Sequence, residues 1–395
     1  MRKLLVLSVF ALITLVTYAQ NSNSGYQFTV IKENPITSIK NQASSGTCWS
    51  FSGLAFLESE VIRLGKGSHD LSPMYVARRN YADKAEKYVR VGGNLNFSQG
   101  GSFADVVQSL NEYGVIPMEL YTGLNYGLSS HNHGELEAGL SGYVKGIVQN
   151  KNKRISTAWL NGFNGILDAY LGKIPAEFDY QGKKYTPQSL RESLDLDANN
   201  YISLTSFTHH PFYAPFALEI PDNWRWALSY NLPIDELMQV CENAVNKGFT
   251  IAWATDVSEV GFTRNGIAVV PDEEAPENVG SDQAHWLGLS QAEKNSRIRA
   301  KLEQGPVKEK EITQEMRQIA FDNQETTDDH GMQIYGMATD QNGNKYYIVK
   351  NSWGEAGTYK GIWYASETFV KYKTTNIMIH KDALPKEIAK KLGIK

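Results

Sequence analysis

Along the first third of the chain, apolar positions recur at helical spacing. Over residues 50–64, Leu54, Leu57, Val61 and Leu64 fall three or four residues apart, and Gly65 follows as a C-cap, so the spacing predicts a helix. A second helix is predicted over 103–113, ended by Gly114. A third is predicted over 235–247, with Leu237, Val240, Cys241, Ala244 and Val245 on one stripe and Gly248 behind it. The period then changes. Residues 249–254 read as a buried strand, and 332–338 and 345–350 are strand-like runs. Between those two runs lies Asp340-Gln341-Asn342-Gly343-Asn344, whose Asn-Gly pair is a strong hairpin signal. Residues 115–300 mix both patterns. A helix-rich first half and a strand-rich end predict an α+β fold with segregated layers.

The N-terminus follows neither pattern. Met1-Arg2-Lys3 is basic, residues 4–16 are almost wholly apolar, and Thr17-Tyr18-Ala19 offers the small residues that a signal peptidase reads. A membrane anchor is the alternative, but a span needs about 20 apolar residues. Residues 1–19 are therefore expected to be a signal peptide cleaved after Ala19, with the protein exported to the periplasm or beyond. Loss of Arg2 and Lys3 moves the formal net charge from −4 to −6. No other segment is apolar and long enough to cross a membrane.

Composition narrows the classes. The 395 residues are 42% hydrophobic and 21% charged, ordinary for a globular chain with a large core and no repeat or linker. With 39 basic against 43 acidic residues, the electrostatic footprint of a nucleic-acid binder is absent. Two cysteines make no disulfide framework.

The two cysteines differ in setting. Cys241 lies on an apolar helical stripe and reads as a small buried hydrophobe. Cys48, in Gln42-Ala43-Ser44-Ser45-Gly46-Thr47-Cys48-Trp49-Ser50-Phe51, stands where a Gly/Ser-rich loop meets the first helix. A helix N-terminus carries partial positive charge, which favours thiolate, so Cys48 is a candidate nucleophile with an expected low pKa; the bland alternative is a core thiol. A thiolate needs a base and an orienter. His330 opens the first strand of the C-terminal hairpin and Asn351 closes the second, so the turn should bring imidazole and carboxamide together. Asp328 and Asp329 are rival orienters, but sequence neighbours on a strand are poor partners. Trp353 is placed to shield the His330–Asn351 bond.

These strings resemble a known family. Gln42, Cys48-Trp49-Ser50-Phe51, His330-Gly331-Met332 and Asn351-Ser352-Trp353-Gly354 occur in the order of the papain-like cysteine peptidases. Within that clan the chain is similar to the bleomycin hydrolase and aminopeptidase C branch. The likeness extends through Ser98-Gln99-Gly100-Gly101-Ser102-Phe103, Tyr113-Gly114-Val115-Ile116-Pro117, Ala252-Trp253-Ala254-Thr255-Asp256-Val257 and Thr326-Thr327-Asp328-Asp329. The resemblance implies a two-lobed fold with the active site in the cleft between a helical and a β-barrel-like lobe, and large helical insertions. On this basis the helical lobe is expected mainly over 45–250, the β-rich lobe over 25–44 and 251–380, and a tail over 381–395. It implies Cys48 as nucleophile, His330 as base and later acid, Asn351 as orienter, and the Gln42 amide with the Cys48 backbone N–H as oxyanion donors. Gly100 and Gly101 resemble cleft glycines that let a substrate backbone approach; a plain turn before the helix is the equal alternative. No metal or cofactor is implied. A homo-hexameric ring acting on peptides is.

Three departures matter. Ser45 stands where many papain-like enzymes carry a bridged Cys, in agreement with the aminopeptidase C branch. In that branch the tail's carboxylate holds the substrate's free amine; here the tail is shorter, so endopeptidase or broad amidase activity is the alternative. The export signal is unusual for a mostly cytosolic branch. A catalytically silent scaffold is the remaining reading, disfavoured because all four catalytic-type residues are present.

Overall fold

A computed structural model describes residues 25–151, 154–272 and 290–394, so the expected signal peptide lies outside the described residues. Five helices build one side: α1 (Cys48–Arg63), α2 (Pro73–Arg90), α3 (Phe103–Tyr113), α4 (Gly134–Gln149) and α5 (Ala158–Leu171). Helix α1 is buried almost all round, with Leu54, Phe56, Leu57 and Val61 at most 1% exposed. Each such side chain contributes roughly 1.5–3 kcal/mol by leaving water. Leu64, expected on the buried stripe, caps the helix and is 37% exposed, because the chain turns out at Gly65 (φ 73°). Ser102 and Asp105 form a capping box that starts α3, matching its predicted bounds.

The strands are β1 (Thr29–Glu33), β2 (Phe178–Tyr180), β3 (Lys183–Tyr185), β4 (Tyr201–Thr205), β5 (Pro215–Ala217), β6 (Leu228–Asn231), β7 (Ile251–Thr255), β8 (Ile267–Ala268), β9 (His330–Thr339), β10 (Lys345–Lys350), β11 (Ile362–Ser366) and β12 (Thr374–His380). All but the β2–β3 hairpin join one sheet in the order β5-β6-β4-β12-β7-β9-β10-β11-β8, with β1 added on β9. The predicted hairpin is β9–β10, turning at Asp340–Asn344, where the Asp340 carboxylate accepts from the N–H groups of Asn342 and Asn344.

Two large cores follow. Residues of α1–α5 gather around Phe56, Tyr75 and Phe163, whereas Leu204, Trp253, Ile334, Val349 and Ile377 belong with the helix Ile234–Asn246 in the sheet's core. The helical lobe thus ends near residue 200 rather than 250. The reason is β4, whose ladder to β12 pulls residues 201–246 onto the sheet side. Helix α1 is the seam between lobes. The buried Gln333 amide donates to the Ala55 carbonyl, Ser59 Oγ and Thr250 Oγ1, clipping β9 to α1. Gly331 makes room for this approach: a Cβ there would lie 2.8 Å from Ser52 Oγ. No described helix is long and apolar enough to cross a membrane.

Candidate active site

Cys48 is the first residue of α1, where backbone N–H groups lack intrahelical partners. The preceding loop is pinned. Gly46 donates its N–H to Gln99 Oε1 at 2.7 Å, the Trp49 indole donates to the Gln99 carbonyl at 3.0 Å, and the Ser44 N–H donates to the His131 carbonyl at 3.0 Å. At the expected disulfide-free position, Ser45 Oγ donates to the Gln42 carbonyl and lies 2.6 Å from Thr47 Oγ1.

On the sheet side, His330 begins β9 and Asn351 follows β10. His330 Nε2 lies 2.8 Å from Asn351 Oδ1. The Ser352 backbone N–H also donates to that oxygen, at 2.7 Å, which fixes which end of the amide faces the ring. Nε2 therefore carries the proton and Nδ1 keeps its lone pair, the tautomer a general base needs. The Trp353 ring lies 4.7 Å from the imidazole, tilted by 32°, and covers this bond. The rival orienters do not serve: Asp329 accepts from Thr327 Oγ1, and neither it nor Asp328 bonds the imidazole among the described residues.

The two sides face one cavity of about 340 Å3 including its open mouth. Cys48, Trp49, Gly101 and Phe103 line it from the helical lobe, and Ala254, His330, Gly331 and Asn376 from the sheet. The Gly331 backbone N–H is directed at the Cys48 sulfur. Ile220, Asp222, Asp328 and Asp329 complete the wall. Sequence reasoning missed Ile220, Asp222 and Asn376; the first two come from a segment with no periodic pattern and no motif.

Three expectations need revision or refinement. The helix terminus does pull the thiol down, through the Trp49 N–H, but it is outweighed. Burial pushes it up to about 12, with the carboxylates of Asp328 and Asp222 adding and the Gly331 N–H opposing. Burial likewise pushes the His330 imidazole down to about 4, against the pull of Asn351. Burial thus favours the neutral thiol and the neutral imidazole, and attack on a carbonyl moves one proton from Cys48 to His330. Gln42 is 7% exposed and does not line the cavity; its Oε1 accepts from Ser352 Oγ at 2.6 Å and its Nε2 donates to the Ser45 carbonyl at 2.7 Å, leaving one amide hydrogen for a ligand. Of the two cleft glycines, Gly101 lines the cavity but Gly100 does not; a Cβ on Gly100 would overlap the Asp222 carboxylate.

Away from the cavity, His209, His210 and Glu219 bring ligand-type atoms within 4.8 Å of one another. They do not touch the reacting groups.

Known proteins resemble this chain in sequence and in fold. Residues 309–394, which carry His330 and Asn351, match the Peptidase C1-like family. The chain is 22% identical over 395 residues to aminopeptidase G of Lactobacillus delbrueckii subsp. lactis, covering 90% of this chain and 83% of the relative. It is 23% identical over 399 residues to aminopeptidase C of Streptococcus thermophilus, covering 88% and 81%. Among solved structures, PepW from Lactobacillus rhamnosis HN001 superposes with a TM-score of 0.69 at 18% identity, covering 92% of this chain and 84% of that one.

Proposed function

We infer that this chain is a papain-like cysteine peptidase of the aminopeptidase C branch, hydrolysing peptide bonds next to a free amino terminus. The observation that carries the chemistry is the 2.8 Å bond from His330 to Asn351 beside Cys48 in a shared cavity. The exopeptidase reading is supported by likeness to relatives named aminopeptidase C and G along nearly the whole described chain.

In the mechanism, Cys48 gives its proton to His330 Nδ1 as the sulfur attacks the scissile carbonyl. The Asn351 carboxamide stabilises the imidazolium by accepting from Nε2–H. Charge that develops on the carbonyl oxygen is met by the Cys48 backbone N–H; the family resemblance adds the free hydrogen of the Gln42 amide, just outside the cavity lining, and one such donor is worth about 3–4 kcal/mol in a comparable site. His330 then protonates the leaving amine, and in deacylation takes a proton from water, which releases the acid and restores the thiol.

Endopeptidase action is the second reading, and a specific observation favours it. The C-terminal helix Lys386–Leu392 buries Ile388 and Leu392 in the sheet lobe's core, and among the described residues none beyond Asn376 lines the cavity. Comparing a fluorogenic aminoacyl amide with its N-acetyl form separates the two: preference for the blocked substrate overturns the aminopeptidase reading.

Export and assembly complete the proposal. The pattern of residues 1–19 supports secretion, tested by N-terminal sequencing of the mature protein, which should begin at Gln20. A hexameric ring is supported by the family resemblance; a monomer in sedimentation at micromolar concentration would remove it.

A further inference from the structure

We propose that Asp222, seconded by Asp328, anchors the substrate's α-ammonium group, and so sets where the amino end of a peptide must lie relative to Cys48. This rests on the aminopeptidase reading above and names the group that enforces it.

The position of Asp222 is the first argument. It lines the same cavity as Cys48 and His330, and its carboxylate occupies the space beside the Gly100 backbone that a side chain would otherwise fill. A peptide running on past this point would collide with Asp222. One that ends there meets a counter-charge instead.

The charge balance is the second. The cations nearby are already committed. Lys84 donates to the Ser98 carbonyl at 3.1 Å and to the Gly100 carbonyl, and Arg225 pairs with Asp83 and Asp105 at 2.6 Å each. Neither Asp222 nor Asp328 forms a hydrogen bond or ion pair with a described residue. Asp329 adds a third carboxylate to the same wall. Lys84 acts on Asp222 through space without bonding it, and a primary ammonium ion with three donors satisfies two half-buried carboxylates at once. The third argument is the reacting group itself. His330 is 6% exposed, and its Nδ1 has no hydrogen-bond partner among the described residues. A nearly buried imidazole with an idle nitrogen marks the cavity as the place a ligand enters.

The described residues 386–394 lie away from this wall. Ile388 and Leu392 are buried against the sheet's core, and Lys391 Nζ is 2.5 Å from Glu236 Oε1, outside the cavity.

The test uses the full chain and three fluorogenic amides of one amino acid: the free amine, the N-acetyl form and the desamino acyl form. Wild type should favour the free amine over the desamino form by roughly 30-fold or more in kcat/KM. Asp222→Asn should cut that ratio at least about tenfold, mostly through KM, and Asp328→Asn by a smaller factor. Should Asp222→Asn not fold, Asp222→Ser is read in the same way. A ratio that stays at the wild-type value in the folded Asp222 variant overturns the proposal. Wild type that prefers the N-acetyl form overturns the aminopeptidase reading instead, and wild type that cleaves none of the three overturns the peptidase reading.

Discussion

The surroundings of Cys48 and Cys241 make an instructive pair. Burial pushes both thiols up to about 12, and both sit on helices. Cys241 lies within its helix, 1% exposed, among Leu237, Val240 and Ala244 in the sheet's apolar core. Cys48 is only partly covered, at a helix start, across a cavity from an imidazole held in one tautomer. Thiol acidity therefore does not separate a catalytic cysteine from a structural one in this molecule. What separates them is a proton acceptor within the same cavity and room for a carbonyl.

The comparison breaks most sharply at the sulfur. Cys48→Ser should lower turnover by a factor on the order of 10^4 or more, since a hydroxyl beside a neutral imidazole is a far weaker nucleophile. Its melting temperature should stay close to wild type. Residual turnover near the wild-type rate would place the nucleophile elsewhere.

Asn351→Ala comes next. It removes the acceptor of His330 Nε2–H and frees the ring to turn, so kcat should fall on the order of 10^2-fold. Iodoacetamide should alkylate Cys48 in wild type and leave Cys241 untouched until unfolding. In Asn351→Ala the Cys48 rate should drop toward that of Cys241. An unaltered alkylation rate would mean that the imidazole does not activate the thiol.

How much of this was legible before the fold is visible from the same residues. Cys48, His330 and Asn351 stand in short contiguous strings, and an Asn-Gly turn fixes which ends of β9 and β10 meet, so their convergence follows from sequence spacing. The helix over 103–113 was equally plain, because its cap and its Gly stop are local. The sheet order was not. Strand β4 pairs with β12 across about 170 residues of sequence, a choice made by the shared core, and it moved the lobe boundary from 250 to near 200. The acidity of Cys48 was misjudged for a similar reason. A helix N-terminus is a local feature, whereas the cover supplied by Ile220, Asp222 and Asp328 is tertiary, and desolvation outweighs the partial charge of the helix.

That acidic cover gives a pH signature of its own. Burial raises the Asp222 carboxyl to about 6, with Lys84 opposing and Asp105 adding; Asp328 is raised too, by burial and by Asp222 and Asp329. Above about pH 6 Asp222 is ionised and can hold an ammonium ion; below it the carboxyl is protonated and the attraction is lost. Burial moves His330 down and Cys48 up, both away from the window between pH 5 and 8. The ratio of free-amine to desamino kcat/KM should thus peak near pH 7, falling toward acid by up to about tenfold per unit below 6 and falling again above about 8 as the substrate's own ammonium group loses its proton. A ratio constant down to pH 5 would detach Asp222 from amine recognition.

The smallest effect is at the other cysteine, and it tests the structural half of the pair. Cys241→Ser exchanges a weakly polar sulfur for a hydroxyl in a sealed apolar core. Burying a hydroxyl without a partner costs about 1–3 kcal/mol, but in a helix it can bond the carbonyl one turn back, at Leu237, and recover part of that. The net loss should be about 1–2 kcal/mol, read as a lower urea midpoint at unchanged slope. Turnover of the free-amine substrate should stay within about twofold of wild type, because nothing in the sheet core around Cys241 reaches the cavity. A large drop in kcat with little change in stability would show the two thiol environments to be coupled through β7 and β9, and the contrast between them would no longer hold.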